Sequence, residues 1–415
     1  MANGSFGLEN EGVIHRSGVR KVFTPHTPVD ESEHFFGRED EASRLVSVIN
    51  SPGQHILVYG DRGVGKTSLS KTACKVLLQG VIQQGEFFEK RCGADDSFST
   101  IVEEPLAAVG VDLSFKEQSK THNEGGGAKI DALFVTADLS SKRETRTIQT
   151  SILRPDSPSW VAKKLHNLKG VFLIDETDAL LFDVDKKKIA ELIKMLSDSN
   201  SEFKLVVVGI ASTGDELTAG HPSVERCLKE VPLLRMTDDD LKKIIYNGMR
   251  KLHLVCDTDV VDKIVDISAG FPHFTHLISL KCAESAVVNG NRHITLDTLK
   301  KALEESVKES EGTLRGVLDA TLRVLTKPEE YRLLLLAASY CKTPEFRSSE
   351  LRDKLSAMYG IEIDSRSLSR RLTTLTKGDE VTILSKPARG CFQFTDPRMP
   401  SFLKMALSKD DNSAR

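Results

Sequence analysis

The stretch HILVYGDRGVGKTSLSK, residues 55–71, constrains this chain more than any other. An apolar run breaks into a glycine-rich turn and then into Lys66, Thr67 and Ser68. Gly60-Asp61-Arg62-Gly63-Val64-Gly65-Lys66-Thr67 fits the pattern GxxxxGK[ST], lying after an apolar strand pattern and opening a helical one. Each part of that pattern has a physical purpose. Glycines let backbone N–H groups close around phosphate oxygens, and the start of a helix adds partial positive charge. Lys66 is placed to reach the β- and γ-phosphates, and the Thr67 hydroxyl to ligate Mg²⁺. A strand, a phosphate loop and a helix must therefore follow one another here.

The flanking patterns place this unit in an α/β domain. Residues 38–49 have helical apolar spacing, Val171–Ile174 and 203–212 read as buried strands, and 188–199 as an amphipathic helix. Strands alternating with helices predict a mainly parallel sheet. Asp175 and Glu176 end the strand of GVFLIDETD, where one carboxylate suits a metal shell and the other the polarisation of a water. The sequence predicts a loose tail over 1–22, the α/β domain over 23–236, and an insertion at 112–152 that includes a hairpin. From Thr237 strands give way to helices, opened by a capping box of Thr237 with Asp240, and a helical lid is expected over 237–312. Residues 328–407 read as three helices and a two-stranded hairpin, with strands at 380–385 and 391–395 around a turn at 386–390. That is the layout of a winged helix.

Composition narrows the setting. Seven cysteines are scattered without a CxxC pair, which points to reduced thiols rather than structural zinc. No apolar run approaches the roughly 20 residues of a membrane span. The N-terminus lacks a signal-peptide core, so a cytoplasmic location is expected and no membrane partner. A net charge of −3 does not by itself mark a nucleic-acid binder.

The motifs FFGREDE, GDRGVGKTSL, FLIDETD, VVVGIAS, SVERCLKEVPL and GFPHFTHL together resemble the AAA+ ATPases of the replication-initiator-like, origin-recognition group. The resemblance covers roughly residues 23–310 and, more loosely, the C-terminal segment. It implies a P-loop AAA+ domain with a helical lid and a C-terminal winged helix. It also implies ATP and Mg²⁺ as cofactors, slow hydrolysis to ADP and phosphate, and ATP-dependent self-assembly. By the same resemblance Phe36, Gly37 and Arg38 lie beside the adenine. Ser212 is the sensor at the end of the third strand, and Arg226 the finger that reaches a neighbour's γ-phosphate, with Arg235 second to it. Asp175 and Thr67 hold the metal, while Glu176, Lys66, Arg226 and Ser212 make the catalytic set. His273 occupies the lid position where related ATPases often carry an arginine. Thr177 replaces a common aromatic, and Ala179 a common basic residue.

In the C-terminal segment, Leu368, Leu372 and Leu375 form an apolar helix face. Arg366, Arg370 and Lys377 point away from it, with Arg371 at the rim. Lys386 and Arg389 sit in the expected wing. A recognition helix in the major groove of double-stranded DNA would offer these cations. The same face on a protein-docking module would be merely solvated. Two functions follow: an ATP-dependent switch acting on DNA, or a signalling scaffold that binds an effector protein, as in an antiviral defence module.

Overall fold

The computed structural model describes residues 8–27, 37–80, 85–111, 113, 154–210, 222–310, 312–341, 343–377 and 382–407. Phe36, Ser212 and, apart from residue 113, the expected insertion at 112–152 lie outside the described residues. The strands are β1 (His55–Tyr59), β2 (Glu86–Arg91), β3 (Gly170–Asp175), β4 (Phe203–Gly209) and β5 (Leu228–Pro232). They form one sheet in the order β2-β3-β4-β1-β5, with β2, β3 and β4 parallel. Strands β3 and β4 are buried along their whole length, which is why they read as unbroken apolar runs. Strands β2 and β5 escape that pattern because polar residues alternate through EFFEKR and LKEVP.

The chain divides into two compact units, one of residues 1–46, 58–73 and 231–415, the other of residues 47–57 and 74–230. In the second, Phe88, Phe172 and Phe203 make a ring cluster at the sheet, with centroids 5.8 and 6.3 Å apart. The helix Asp183–Asp198 buries Ile189, Ala190, Leu192, Ile193 and Leu196. Its Asp185 accepts a hydrogen bond from the Phe98 N–H at 2.8 Å and so ties down the start of the helix Phe98–Ile101.

In the first unit the lid helices are Asp238–Lys251, Thr258–Ser268, Pro272–Val288 and Leu296–Glu309. The segment is not wholly helical, since β6 (Val255–Cys256) pairs with β7 (His293–Ile294). Thr237 caps the first helix by accepting from the Asp240 N–H at 3.2 Å, and its hydroxyl donates to the Asp240 carboxylate at 2.6 Å. The expected loose tail needs correction over its later part, because Leu8–Ser17 and Val19–Val22 are helical. Ile14, Val19, Val22 and Phe23 are buried, and Arg20 donates to Glu284 of the lid at 2.7 Å. The polar residues between those apolar positions mask the pattern in the sequence.

After the helix Gly312–Arg323, a C-terminal module comprises the helices Pro328–Ser339, Ser348–Tyr359, Ser365–Leu375 and Met399–Leu407. Its antiparallel sheet has the order β8-β10-β9, from β8 (Glu345–Arg347), β9 (Leu384–Ala388) and β10 (Cys391–Phe394). The hairpin therefore gains a third strand. The expected strand 380–385 is shifted to Leu384–Ala388, so Lys386 and Pro387 belong to a strand and not to the turn. Proline is tolerated there because β9 is an edge strand. Leu368, Leu372 and Leu375 are buried, as their spacing requires. No described helix is long and apolar enough to cross a membrane.

Candidate functional site

The phosphate loop follows β1 directly, and the helix Lys66–Gly80 follows the loop. The backbone at Leu233 lies so close that a Cβ on Gly60 would stand 2.3 Å from the Leu233 carbonyl oxygen. Gly63 and Gly65 have φ of 84° and 94°, the left-handed region that glycine occupies without strain. Val64 is buried between them, whereas Arg62 is exposed. The Lys66 ammonium donates to the carbonyls of Gly60 at 3.0 Å and Asp61 at 2.9 Å, which folds the lysine over its own loop. Thr67 and Ser68 are half-buried in the first turn of the helix. The Asp61 carboxylate accepts from Arg235 Nε at 3.3 Å, and the Arg235 guanidinium lies 4.5 Å from the centroid of the Phe271 ring. Arg235 is thus engaged with its own loop.

Arg38 is drawn into the packing around the phosphate loop. It is 5% exposed, and Nη2 donates to the Val64 carbonyl at 3.1 Å and to the Leu234 carbonyl at 2.6 Å. Burial lowers its pKa, partly offset by the Glu41 and Asp240 charges, yet an arginine remains charged. Its contacts buttress the phosphate loop against the chain leaving β5. Gly37 packs beside Met236, and its N–H donates to Glu39 at 3.1 Å.

His273 opens the lid helix after Pro272. Its Nδ1 donates to the Pro25 carbonyl at 2.9 Å, and its ring meets Phe274 edge-on at 5.2 Å. The imidazole is anchored to the N-terminal segment, a use that its place in GFPH did not suggest. With Pro25, His26 and Glu309 it lines a small cavity. His276, one turn on, is held neutral, its pKa lowered to about 4 by burial and then by His273.

In the other unit, Asp175 is 4% exposed at the end of β3 and accepts the Glu176 N–H at 2.9 Å. Glu176 has φ 55° and ψ 40°, a left-handed conformation that costs a non-glycine residue about 1 kcal/mol or more. Such a conformation persists only where neighbours enforce it, and two do. Thr177 is fully buried and donates to the Val208 carbonyl of β4 at 2.9 Å. Arg91, the last residue of β2, forks onto the Glu176 carboxylate from Nε at 2.8 Å and Nη2 at 2.7 Å. That bond and the Glu176 charge raise the Arg91 pKa. Arg91 escaped the sequence reading because nothing marks EFFEKR as a strand that ends beside β3; the parallel register Arg91↔Asp175 does so.

Arg226 is exposed just before β5, and its carbonyl accepts from Gln54 Nε2 at 2.9 Å. The next residue, Cys227, accepts the His55 N–H at 2.7 Å, so Arg226 stands at the start of β1. On the C-terminal module, Arg366, Arg370, Lys377, Lys386 and Arg389 are exposed. Arg371 pairs with Glu330 at 2.6 Å. Asp364 caps the helix Ser365–Leu375 through the N–H groups of Arg366 at 3.0 Å and Ser367 at 2.9 Å.

A parallel sheet, a glycine loop closing on a lysine, and a buried aspartate ending another strand of that sheet define a class: an α/β P-loop NTPase with a helical lid. The chain belongs to the family described as Novel STAND NTPase 1, whose model matches residues 24–315. Among curated proteins, a shikimate kinase of Hahella chejuensis is 24% identical over 173 residues, covering 36% of this chain and 89% of the kinase. Among solved structures, a Walker-type ATPase of Pyrococcus abyssi has a TM-score of 0.49 at 16% identity, covering 92% of this chain and 99% of its own. The ORC1 protein of Aeropyrum pernix, solved in complex with DNA, has a TM-score of 0.46 at 17% identity, covering 96% and 97%.

Proposed function

We propose that this protein is a slow Mg²⁺-dependent ATPase that works as a switch, assembling with copies of itself when ATP is bound and acting on double-stranded DNA. The observation that carries the nucleotide part is the phosphate loop: three glycines around a half-buried lysine at a helix start. Such a cradle suits a triphosphate. The Thr67 hydroxyl and the Asp175 carboxylate are hard oxygen donors of the kind Mg²⁺ takes, and the ion would neutralise charge on the β- and γ-phosphates. Glu176 accepts the proton of the attacking water, and Arg226 acts on the nucleotide of a neighbouring molecule. Ser212 is proposed as the sensor and Phe36 as a neighbour of the base.

Lys66→Ala tests the core of this reading. A hydrogen bond between charged groups is worth about 1.5–3 kcal/mol, so ATP affinity is expected to fall by roughly 10- to 150-fold. Titration calorimetry with Mg²⁺·ATP measures it. Equal affinity in the two proteins would show that the loop does not hold phosphate.

The DNA part rests on Arg366 and Arg370, exposed on the helix that buries its leucines, and on exposed Lys377 just past its end. The first three helices of the C-terminal module and its small antiparallel sheet have the layout expected of a winged helix. Each phosphate neutralised contributes about −0.9 to the slope of log K against log salt. Replacing Arg366 and Arg370 by alanine is expected to make that slope shallower by about two. An unchanged salt titration would favour the second reading, a scaffold that binds an effector protein. The Asp364 carboxylate at the helix start and the Arg371–Glu330 pair favour that reading, because both reduce the positive charge of the face.

A further inference from the structure

We infer that Thr177 is a positioning residue for Glu176: its buried hydroxyl ties the end of β3 to β4 and so keeps the carboxylate aimed for water activation. The inference rests on the reading of Glu176 as the acceptor of the water proton, given above. At the end of β3 the two neighbouring strands behave differently. On one side, β2 stays paired as far as Arg91↔Asp175, and the Cys92 N–H donates to the Asp175 carbonyl at 2.9 Å. On the other side, the paired residues of β3 and β4 end at Ile174↔Val207. Past that pair a side chain takes over, as Thr177 Oγ1 donates to the Val208 carbonyl at 2.9 Å.

Both partners of that bond are shut away from water, Thr177 at 0% and Val208 at 1% exposure. A buried carbonyl left without a donor is costly, so the bond is not readily given up. Threonine is branched at Cβ and has few side-chain conformers, so an anchored hydroxyl also anchors the backbone that carries it. Glu176 therefore lies between two fixed residues, Asp175 in the sheet and Thr177 on β4. Its φ of 55° and ψ of 40° belong to the left-handed region, which a residue with a side chain leaves when nothing holds it there. The turn that follows is closed by the Ala179 N–H on the Glu176 carbonyl at 2.9 Å and by the Leu180 N–H on the Thr177 carbonyl at 3.3 Å. Left-handed backbone aims a side chain differently from helical or extended backbone. Release of Thr177 from Val208 thus lets Glu176 relax and turns its carboxylate away. Valine has the shape of threonine without the donor, so it separates the hydroxyl from the packing.

Single-turnover hydrolysis and titration calorimetry of Mg²⁺·ATP on the full chain test this in the parent, Thr177→Val, Thr177→Ser, Glu176→Gln and the double variant of Thr177→Val with Glu176→Gln. Thr177→Val is expected to hydrolyse ATP about 10- to 100-fold more slowly, because a displacement of about 1 Å at a reacting group costs up to about 10²-fold. Its ATP affinity should stay within about twofold, whereas general loosening of the sheet would weaken binding as well. Thr177→Ser keeps the donor and should hydrolyse within about threefold of the parent. In the Glu176→Gln background, Thr177→Val should add less than about twofold, since both changes act through one carboxylate. Should Thr177→Val fail to fold, Thr177→Cys, close in size and a far weaker donor, takes its place in every comparison. A rate within about twofold of the parent in Thr177→Val would overturn the inference. So would an equal loss in Thr177→Ser, or the same loss from Thr177→Val in the Glu176→Gln background. Hydrolysis at the parent rate by Glu176→Gln would remove the base and this inference with it. A slow Glu176→Gln beside an unimpaired Thr177→Val would leave the base and remove only the role of Thr177.

Discussion

Arg226→Ala is expected to lower ATP turnover by about 10³- to 10⁵-fold while leaving ATP affinity within a factor of two, the range found where an arginine finger is removed. Arg226 and Cys227 stand beside Gln54 and His55 at the start of β1, while the glycine loop begins where β1 ends. In the proposed reading, Arg226 acts on the nucleotide of another molecule. Its exposure leaves it available for that contact. Turnover should rise with protein concentration, and mixing Arg226→Ala with Lys66→Ala should restore part of it by pairing an intact loop with an intact finger. Turnover that is independent of concentration in a monomer shown by light scattering would sink the proposal.

Glu176→Gln is expected to slow hydrolysis by about 10²- to 10⁴-fold, the usual worth of a positioned general base, with ATP still bound. The amide keeps the size and the acceptor oxygen that face Arg91, so the fold should hold. It cannot take up the proton of the attacking water. The fork from Arg91 adds a second expectation, because a carboxylate engaged by two N–H groups is held in one orientation. Arg91→Ala alone should alter turnover. Combined with Glu176→Gln it should add almost nothing, since both changes act through one carboxylate. Single-turnover measurement of bound ATP checks both. Hydrolysis at the parent rate by Glu176→Gln would leave the Glu176–Arg91 pair a structural role only.

Particular residues show how far the chain could be read in one dimension. Residues 55–71 gave strand, loop and helix in order, because the apolar run, the glycines and the lysine are adjacent and their chemistry is local. The buried strands β3 and β4 were legible for the same reason. Strand β2 was not, because its burial alternates with polar residues and its pairing partner lies far along the chain. Arg91 was missed with it. Arg38 was legible as a residue of interest, but only the fold shows Val64 and Leu234 converging on its guanidinium. The helical part of 8–22 was hidden too, because its apolar residues acquire a partner surface only when the lid helices are present.

The sequence by itself determined that a phosphate loop follows a buried strand, that a carboxylate pair ends another, and that the C-terminal leucines form one face. Those features follow from near-neighbour spacing, where backbone geometry alone decides what shares a turn or a face. Only the tertiary structure decided what each charge meets. It set Arg91 on Glu176, Arg235 on Asp61, Arg371 on Glu330 and Arg398 beside Gly63. The physical reason is that an ion pair depends on distance in space and on burial, and neither is encoded in spacing along the chain.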